Sequence, residues 1–181
     1  MTIKTPQDVS DFWFSPAVQP YWFQVSDEID RQIIQLFGAT YEAAHSGELA
    51  DWPKDAAGAL ALSIVLDQFP RNMFRNSSRS FESNDLALAV ARRALERGFD
   101  QQTDPTARQF FYLPFMHSED LDDQEHSVAL YEALGDANSL HFAREHRNII
   151  ARFGRFPHRN AVLGRSNTAE EEEFLKTHSG F

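Results

Sequence analysis

The stretch Asp55-Ala56-Ala57-Gly58-Ala59-Leu60-Ala61-Leu62-Ser63-Ile64-Val65-Leu66-Asp67-Gln68-Phe69-Pro70-Arg71-Asn72 decides the fold class. Projected at about 100° per residue, the apolar side chains from Ala56 onward cover nearly the whole circumference of a helix. A helix apolar on all sides belongs at the centre of a core, and this one is too short to cross a bilayer. Proline removes an amide and disfavours helix in the residue before it. The expected helix therefore spans Ala56–Gln68 and stops ahead of Phe69-Pro70.

Helix signals recur on both sides of this stretch, and strand signals do not. Upstream, Thr5-Pro6 is an N-cap followed by proline in the first turn, which predicts a helix over Pro6–Phe14. Ser26 ahead of Asp27 and Glu28 predicts a second, ending at Phe37 before Gly38, and Thr40 caps a short one to His45. Downstream, Asp85–Arg97 carries a stripe of Ala87, Val90, Ala91, Ala94 and Leu95, closed by Gly98. Asp104-Pro105 opens a helix through Tyr112, ended by Pro114. Ser118, with Glu119 and Asp120 behind it, caps a helix to about Leu134. Asp136–Phe153 forms a long helix ended by Gly154 and Pro157, and Thr168 with Glu171 makes a capping box for a last helix through Lys176. Roughly eight helices joined by short polar connections predict an all-α fold of antiparallel neighbours, in one domain over 1–181.

Composition narrows the function classes. The 181 residues are 42% apolar and include sixteen phenylalanines, enough for a core dominated by aromatic rings. Cysteine is absent, which excludes disulfides, thiol nucleophiles and cysteine-held metals. Met1-Thr2-Ile3-Lys4-Thr5-Pro6 has no basic region followed by an apolar run, so the chain reads as soluble and cytoplasmic, with no membrane partner. The net charge of −10 disfavours nucleic acid unless basic residues segregate. They partly do: six arginines and the single acid Glu145 lie between Arg144 and Arg165, with Phe153 and Phe156 among them. Lysine is nearly absent, however, and Phe153 belongs to an apolar helix face, so nucleic acid is not the expected partner. Fixed arginine contacts, to carboxylates or to a ligand anion, are expected instead. The sequence sets no oligomeric state.

A short phrase occurs twice: Phe69-Pro70-Arg71-Asn72 and Phe156-Pro157-His158-Arg159-Asn160. Each copy follows a strong helix and presents arginine and asparagine at its end, so two such corners could build one polar site. Asp67, at the end of the most buried helix, needs a cationic partner, and Arg71, Arg155 and Arg159 are the candidates. Two readings stay open: a structural clasp, or a clasp that leaves one guanidinium face for an anion. His146 falls amid the stripe Phe142, Ile149, Ile150 and Phe153, either as a satisfied core residue or recessed in a pocket; burial lowers its pKa.

The expected ligand is an anionic small molecule or an acidic peptide. Arg71, Arg155 and Arg159 would hold it, Asp67 and His146 would orient from below, and Asn72 and Asn160 would add neutral donors and acceptors. If chemistry follows, His117 or His158 with Glu119 are the acid–base candidates by elimination. No metal or cofactor is expected. Glu42/His45 and Asp123/His126 are the only approximations to Glu-x-x-His, and phosphate-loop, dinucleotide and serine-elbow motifs are missing. The rival reading is a helical module that binds a peptide or protein through Trp13, Tyr21 and Trp22, with structural arginine corners.

Taken together, Asp67-Gln68-Phe69-Pro70-Arg71-Asn72, Pro114-Phe115-Met116-His117-Ser118-Glu119-Asp120, Arg152-Phe153-Gly154-Arg155-Phe156-Pro157-His158-Arg159-Asn160 and Leu163-Gly164-Arg165 are specific in order and spacing. With them the chain resembles domain-of-unknown-function family 924, from about Val9 to Leu175. The resemblance implies a TPR-like all-helical stack and no particular activity. The tetratricopeptide signature itself is not evident, so the implied likeness concerns helix stacking.

Overall fold

The computed structural model describes residues 2–178 and 180, and among these it contains eight α-helices and no strand. They are α1 (Pro6–Trp13), α2 (Asp27–His45), α3 (Ala56–Met73), α4 (Asn84–Glu96), α5 (Pro105–Met116), α6 (Leu121–Leu134), α7 (Ala137–Phe153) and α8 (Ala169–Leu175). The fold is all-α. None of these helices is long and apolar enough to cross a membrane. Contacts divide the chain into two compact units, Met1–Arg75 with Arg79–Pro114, and Asn76–Ser78 with Phe115–Phe181.

In the first unit α3 is the central element. Asp55 starts it by accepting the Gly58 amide at 2.8 Å, and every residue from Gly58 to Pro70 is buried. It packs against α1, α2 and α4. The α4 face that meets it offers Ala87, Ala91 and Ala94, small side chains that let two helices approach closely. Aromatic rings fill the other side: Trp13 lies edge-on to Phe69 (5.7 Å) and Phe110 (5.6 Å), and Phe37 lies 4.9 Å from Phe69. Trp13 is thus a core residue at 1% exposure, while Tyr21 and Phe23 remain at the surface.

Three helices run further than the sequence predicts, and each extension has a physical cause. α3 continues through Pro70 to Met73. Pro70 cannot donate to the carbonyl four residues back, Leu66, and the buried Ser83 hydroxyl donates to that carbonyl instead, at 2.6 Å. α5 repeats the arrangement. It passes through Pro114 to Met116, and the carbonyl left over, Phe110, accepts from the buried Ser63 hydroxyl at 2.8 Å. α2 continues through Gly38, because burial of Phe37, Tyr41 and Ala44 outweighs the ~1 kcal/mol propensity cost of one glycine. Thr40 therefore caps no helix; its hydroxyl accepts the Lys4 amide at 2.8 Å.

In the second unit α6 packs against α7, and α8 packs on the 3-10 turn Pro157–Arg159. Ile149, Ile150 and Phe156 form the core here, flanked by Phe153 and Phe174. The cap of α6 is Asp120 rather than Ser118. Asp120 accepts the Asp122 and Asp123 amides, whereas the Ser118 hydroxyl donates to Asp123 at 2.8 Å. Thr168 and Glu171 form the expected capping box of α8.

Candidate functional site

The first corner belongs to the first unit, and its polar groups find partners there. Arg71 is one helical turn beyond Asp67 on the same continuous helix. Its Nη1 lies 3.1 Å from Asp67 Oδ1, and it also bonds the Asp67 carbonyl. Nη2 donates to Asn84 at 3.0 Å, and Gln68 donates to the other Asp67 oxygen at 2.6 Å. Asn72 donates to Asp30 at 2.8 Å, beside Arg75, which bonds both oxygens of that carboxylate. Burial lowers the Arg71 pKa, and the Asp67 charge opposes the shift. Asp67, Arg71 and Asn72 thus form a local clasp at the end of α3.

The second corner belongs to the second unit. Gly154 ends α7 in the left-handed region (φ 69°), where a side chain would be strained, and its amide returns to Ile150. The chain then enters the loop that carries the rest of the basic segment. Arg144, Arg147, Arg152, Arg155 and Arg165 each pair with a glutamate. Arg144 pairs with Glu132 (3.3 Å) and Arg147 with Glu125 (3.2 Å), both along α6 and α7. Arg152 pairs with Glu170 at 2.8 Å. Arg155 grips Glu171 through two bonds of 2.6 and 2.7 Å, which, ahead of the opposing burial, holds the Glu171 carboxyl at about 2. Arg165 grips Glu119 through two bonds of 2.6 and 2.9 Å.

Glu119 also accepts the Phe156 amide at 2.8 Å, so one carboxylate fixes both ends of the loop. Burial alone would raise its pKa; the Arg165 bonds, the Phe156 amide and the Arg165 charge outweigh burial and hold it below its ordinary value. Glu119 is therefore an ionised strut. Arg165, for which the sequence alone predicts no role, is its counterion; the Leu163-Gly164-Arg165 phrase is the signal the sequence offers.

Arg159 has a different setting. It is 5% exposed, its guanidinium carbon lies 4.2 Å from the Phe156 ring centroid, and Nη1 donates to the His117 carbonyl at 3.0 Å. The same ring meets two histidines, His146 at 5.5 Å and His158 at 5.6 Å between centroids, and His117 lies 6.4 Å from His146. His146 is 6% exposed. Burial, reinforced by the neighbouring His117 and Arg159 charges, lowers its pKa to about 3, although a bond to the Phe142 carbonyl opposes this. His158 is lowered to about 4, again by burial first and then by Arg159, with Glu119 opposing. Both imidazoles are neutral at pH 7. His146 Nδ1 lies 2.8 Å from the Phe142 carbonyl, an acceptor, so Nδ1 carries the proton and Nε2 is the acceptor nitrogen.

Asn160, on the same loop, is fully buried. Its Nδ2 donates to Asn167 at 2.8 Å, while Oδ1 has no hydrogen-bond partner. The second unit thus brings His146, His158 and Arg159 around Phe156, with His117 beside His146. Glu119, Arg155 and Asn160 brace the loop that carries His158 and Arg159.

A helical body whose second unit carries this loop defines the class of protein. The chain belongs to the family described as bacterial protein of unknown function (DUF924), which matches residues 9–179. A solved structure, that of the protein of unknown function ATU0120 from Agrobacterium tumefaciens, is similar to it at 40% sequence identity. It aligns over 96% of this chain and 97% of that one, with a TM-score of 0.91. No curated protein matches the chain.

Proposed function

We propose that the second unit binds an anionic small molecule at Arg159, beside the imidazoles of His117, His146 and His158. The observation that carries this reading is the convergence of one buried guanidinium and the imidazoles of His146 and His158 on the Phe156 ring, with His117 beside His146. In a protein of net charge −10, a buried guanidinium next to the uncharged imidazoles of His146 and His158 adds positive charge where an anion could bind, with the ionised Glu119 nearby. His146 Nε2 would accept a hydroxyl or acid proton of the ligand. Proton transfer would fall to His117 or His158, whose lowered pKa makes His158 a weak base and a strong acid once protonated. Asp67, Arg71 and Asn72 are accounted for by their own partners in the first unit, so the reading rests on the second corner.

The test is a thermal-shift screen of the full chain against small carboxylates and phosphates. A ligand at about 100 times its Kd stabilises by about 2.7 kcal/mol. The expected result is a hit whose stabilisation disappears in Arg159→Ala and weakens in His146→Gln. Equal stabilisation of wild type and both variants would refute the assignment.

A further inference from the structure

A groove with a cationic rim lies in the first unit and uses none of the residues of the second-unit proposal. The turn Trp52–Lys54, the C-terminal end of α4 and the start of α3 enclose a groove of about 570 Å³. Its rim carries Lys54, Arg93 and Arg97, against a single lining acid, Glu96. Its floor is apolar, formed by Ala59, Ala94 and Phe99.

The rim is fixed. Arg97 donates to the Pro53 carbonyl at 2.7 Å and to the Lys54 carbonyl at 3.0 Å, and its guanidinium carbon sits 4.3 Å from the Phe99 ring centroid. Both hydrogen-bond partners are neutral, so they leave the Arg97 charge in place. Gly58 seats the turn: a β-carbon there would lie 1.9 Å from the Trp52 carbonyl oxygen, so only glycine lets that carbonyl rest on α3. Arg93 is exposed and makes no side-chain hydrogen bond or ion pair among the described residues. Among the described residues Lys54 pairs with the exposed Asp51, at 3.5 Å.

We propose that this groove binds a small organic phosphate. Three cations around one opening favour a dianion over a single carboxylate, and the Arg93 fork matches two phosphate oxygens. The apolar floor with Phe99 would receive the organic part. Nothing in this proposal depends on the reading of the second unit.

The test is a titration of the ¹⁵N-labelled full chain with phenyl phosphate and, separately, inorganic phosphate, following the arginine Nε–H signals. The expected result is saturable movement of the Arg93 and Arg97 signals, with phenyl phosphate binding more tightly. Arg93→Ala should weaken binding by about five-fold or more, the equivalent of one charge-assisted contact. Arg31→Ala, on the exposed surface of α2, should leave it unchanged. The proposal is overturned by movement confined to other arginines, by equal affinity in Arg93→Ala, or by no saturation at about 10 mM, the limit of a useful small-molecule site. Tighter binding of succinate than of phenyl phosphate would overturn the phosphate assignment.

Discussion

Ser63→Ala removes one hydroxyl from the middle of α3, and the structure makes it far more costly than an ordinary serine truncation. The hydroxyl is fully buried and donates to the Phe110 carbonyl at 2.8 Å. That carbonyl cannot fall back on its own helix, because the residue four positions on is Pro114, which has no amide proton. Phe110 itself is 1% exposed, so water does not replace the donor. A buried acceptor left without a partner costs about 1–3 kcal/mol, whereas a surface substitution falls within about 0.5 kcal/mol. The argument is specific to the pair, so it can be isolated by a double-mutant cycle. Pro114→Ala restores an amide opposite the Phe110 carbonyl; in that background Ser63→Ala should cost about 1 kcal/mol less or better, which is the coupling energy. Urea unfolding of the four proteins measures it, provided their m-values agree. If Ser63→Ala is equally costly with and without Pro114, the hydroxyl is not standing in for the missing amide and the explanation of the through-proline helix fails.

Other outcomes follow from single contacts. Gly58→Ala drives a β-carbon into the Trp52 carbonyl and should destabilise by several kcal/mol, on the order of the largest single-site effects; a thermal midpoint unchanged from wild type would contradict the close approach. Glu171 has its pKa depressed from 4.5 to about 2, so its stabilisation is complete above pH 4.5 and is lost as the pH falls toward about 2. The stability gap between wild type and Glu171→Gln should close over that window, and a gap constant down to pH 2 would show that the Arg155 pair does not hold the charge. His146 and His158 are depressed from 6.5 to about 3 and about 4, so the unfolded chain binds more protons than the folded one below pH 6.5. Stability should therefore fall on acidification, by up to about 1.4 kcal/mol per pH unit for each histidine, and His146→Gln should flatten that slope. An imidazole signal of His146 that titrates near 6.5 would rule this out.

Helix existence was legible in the sequence because the caps carry it: Thr5, Ser26, Asp55, Asp136 and Thr168 all sit where their side chains bond the first turn. The centrality of α3 was legible too, since an all-round apolar helix has no solvent face to offer. The ends were not. Whether Pro70 or Pro114 stops a helix depends on a hydroxyl arriving from a residue far away in sequence, and nothing local to Leu66-Asp67-Gln68-Phe69-Pro70 announces Ser83. In the candidate site the burial of His146 was readable from its apolar neighbours, because projection alone places it among Ile149 and Ile150. The pairing of Glu119 with Arg165 was not readable, because the two are 46 positions apart and joined only by the fold.

The two copies of the Phe-Pro-Arg-Asn phrase differ for reasons that lie one turn upstream. In the first, the residue four before the arginine is Asp67, and α3 is unbroken between them, so Arg71 folds back onto its own helix. In the second, the residue four before Arg159 is Arg155, a like charge, and Gly154 has already ended the helix. Its own turn therefore supplies Arg159 no carboxylate four residues back, and the guanidinium meets Phe156 and the His117 carbonyl. Arg155 meanwhile reaches the α8 capping box, and the Glu171 that caps that helix is the same carboxylate that it grips. One phrase thus does two jobs: where an acid precedes it by one turn it closes a helix, and where an arginine does, it sets a buried cation among histidines.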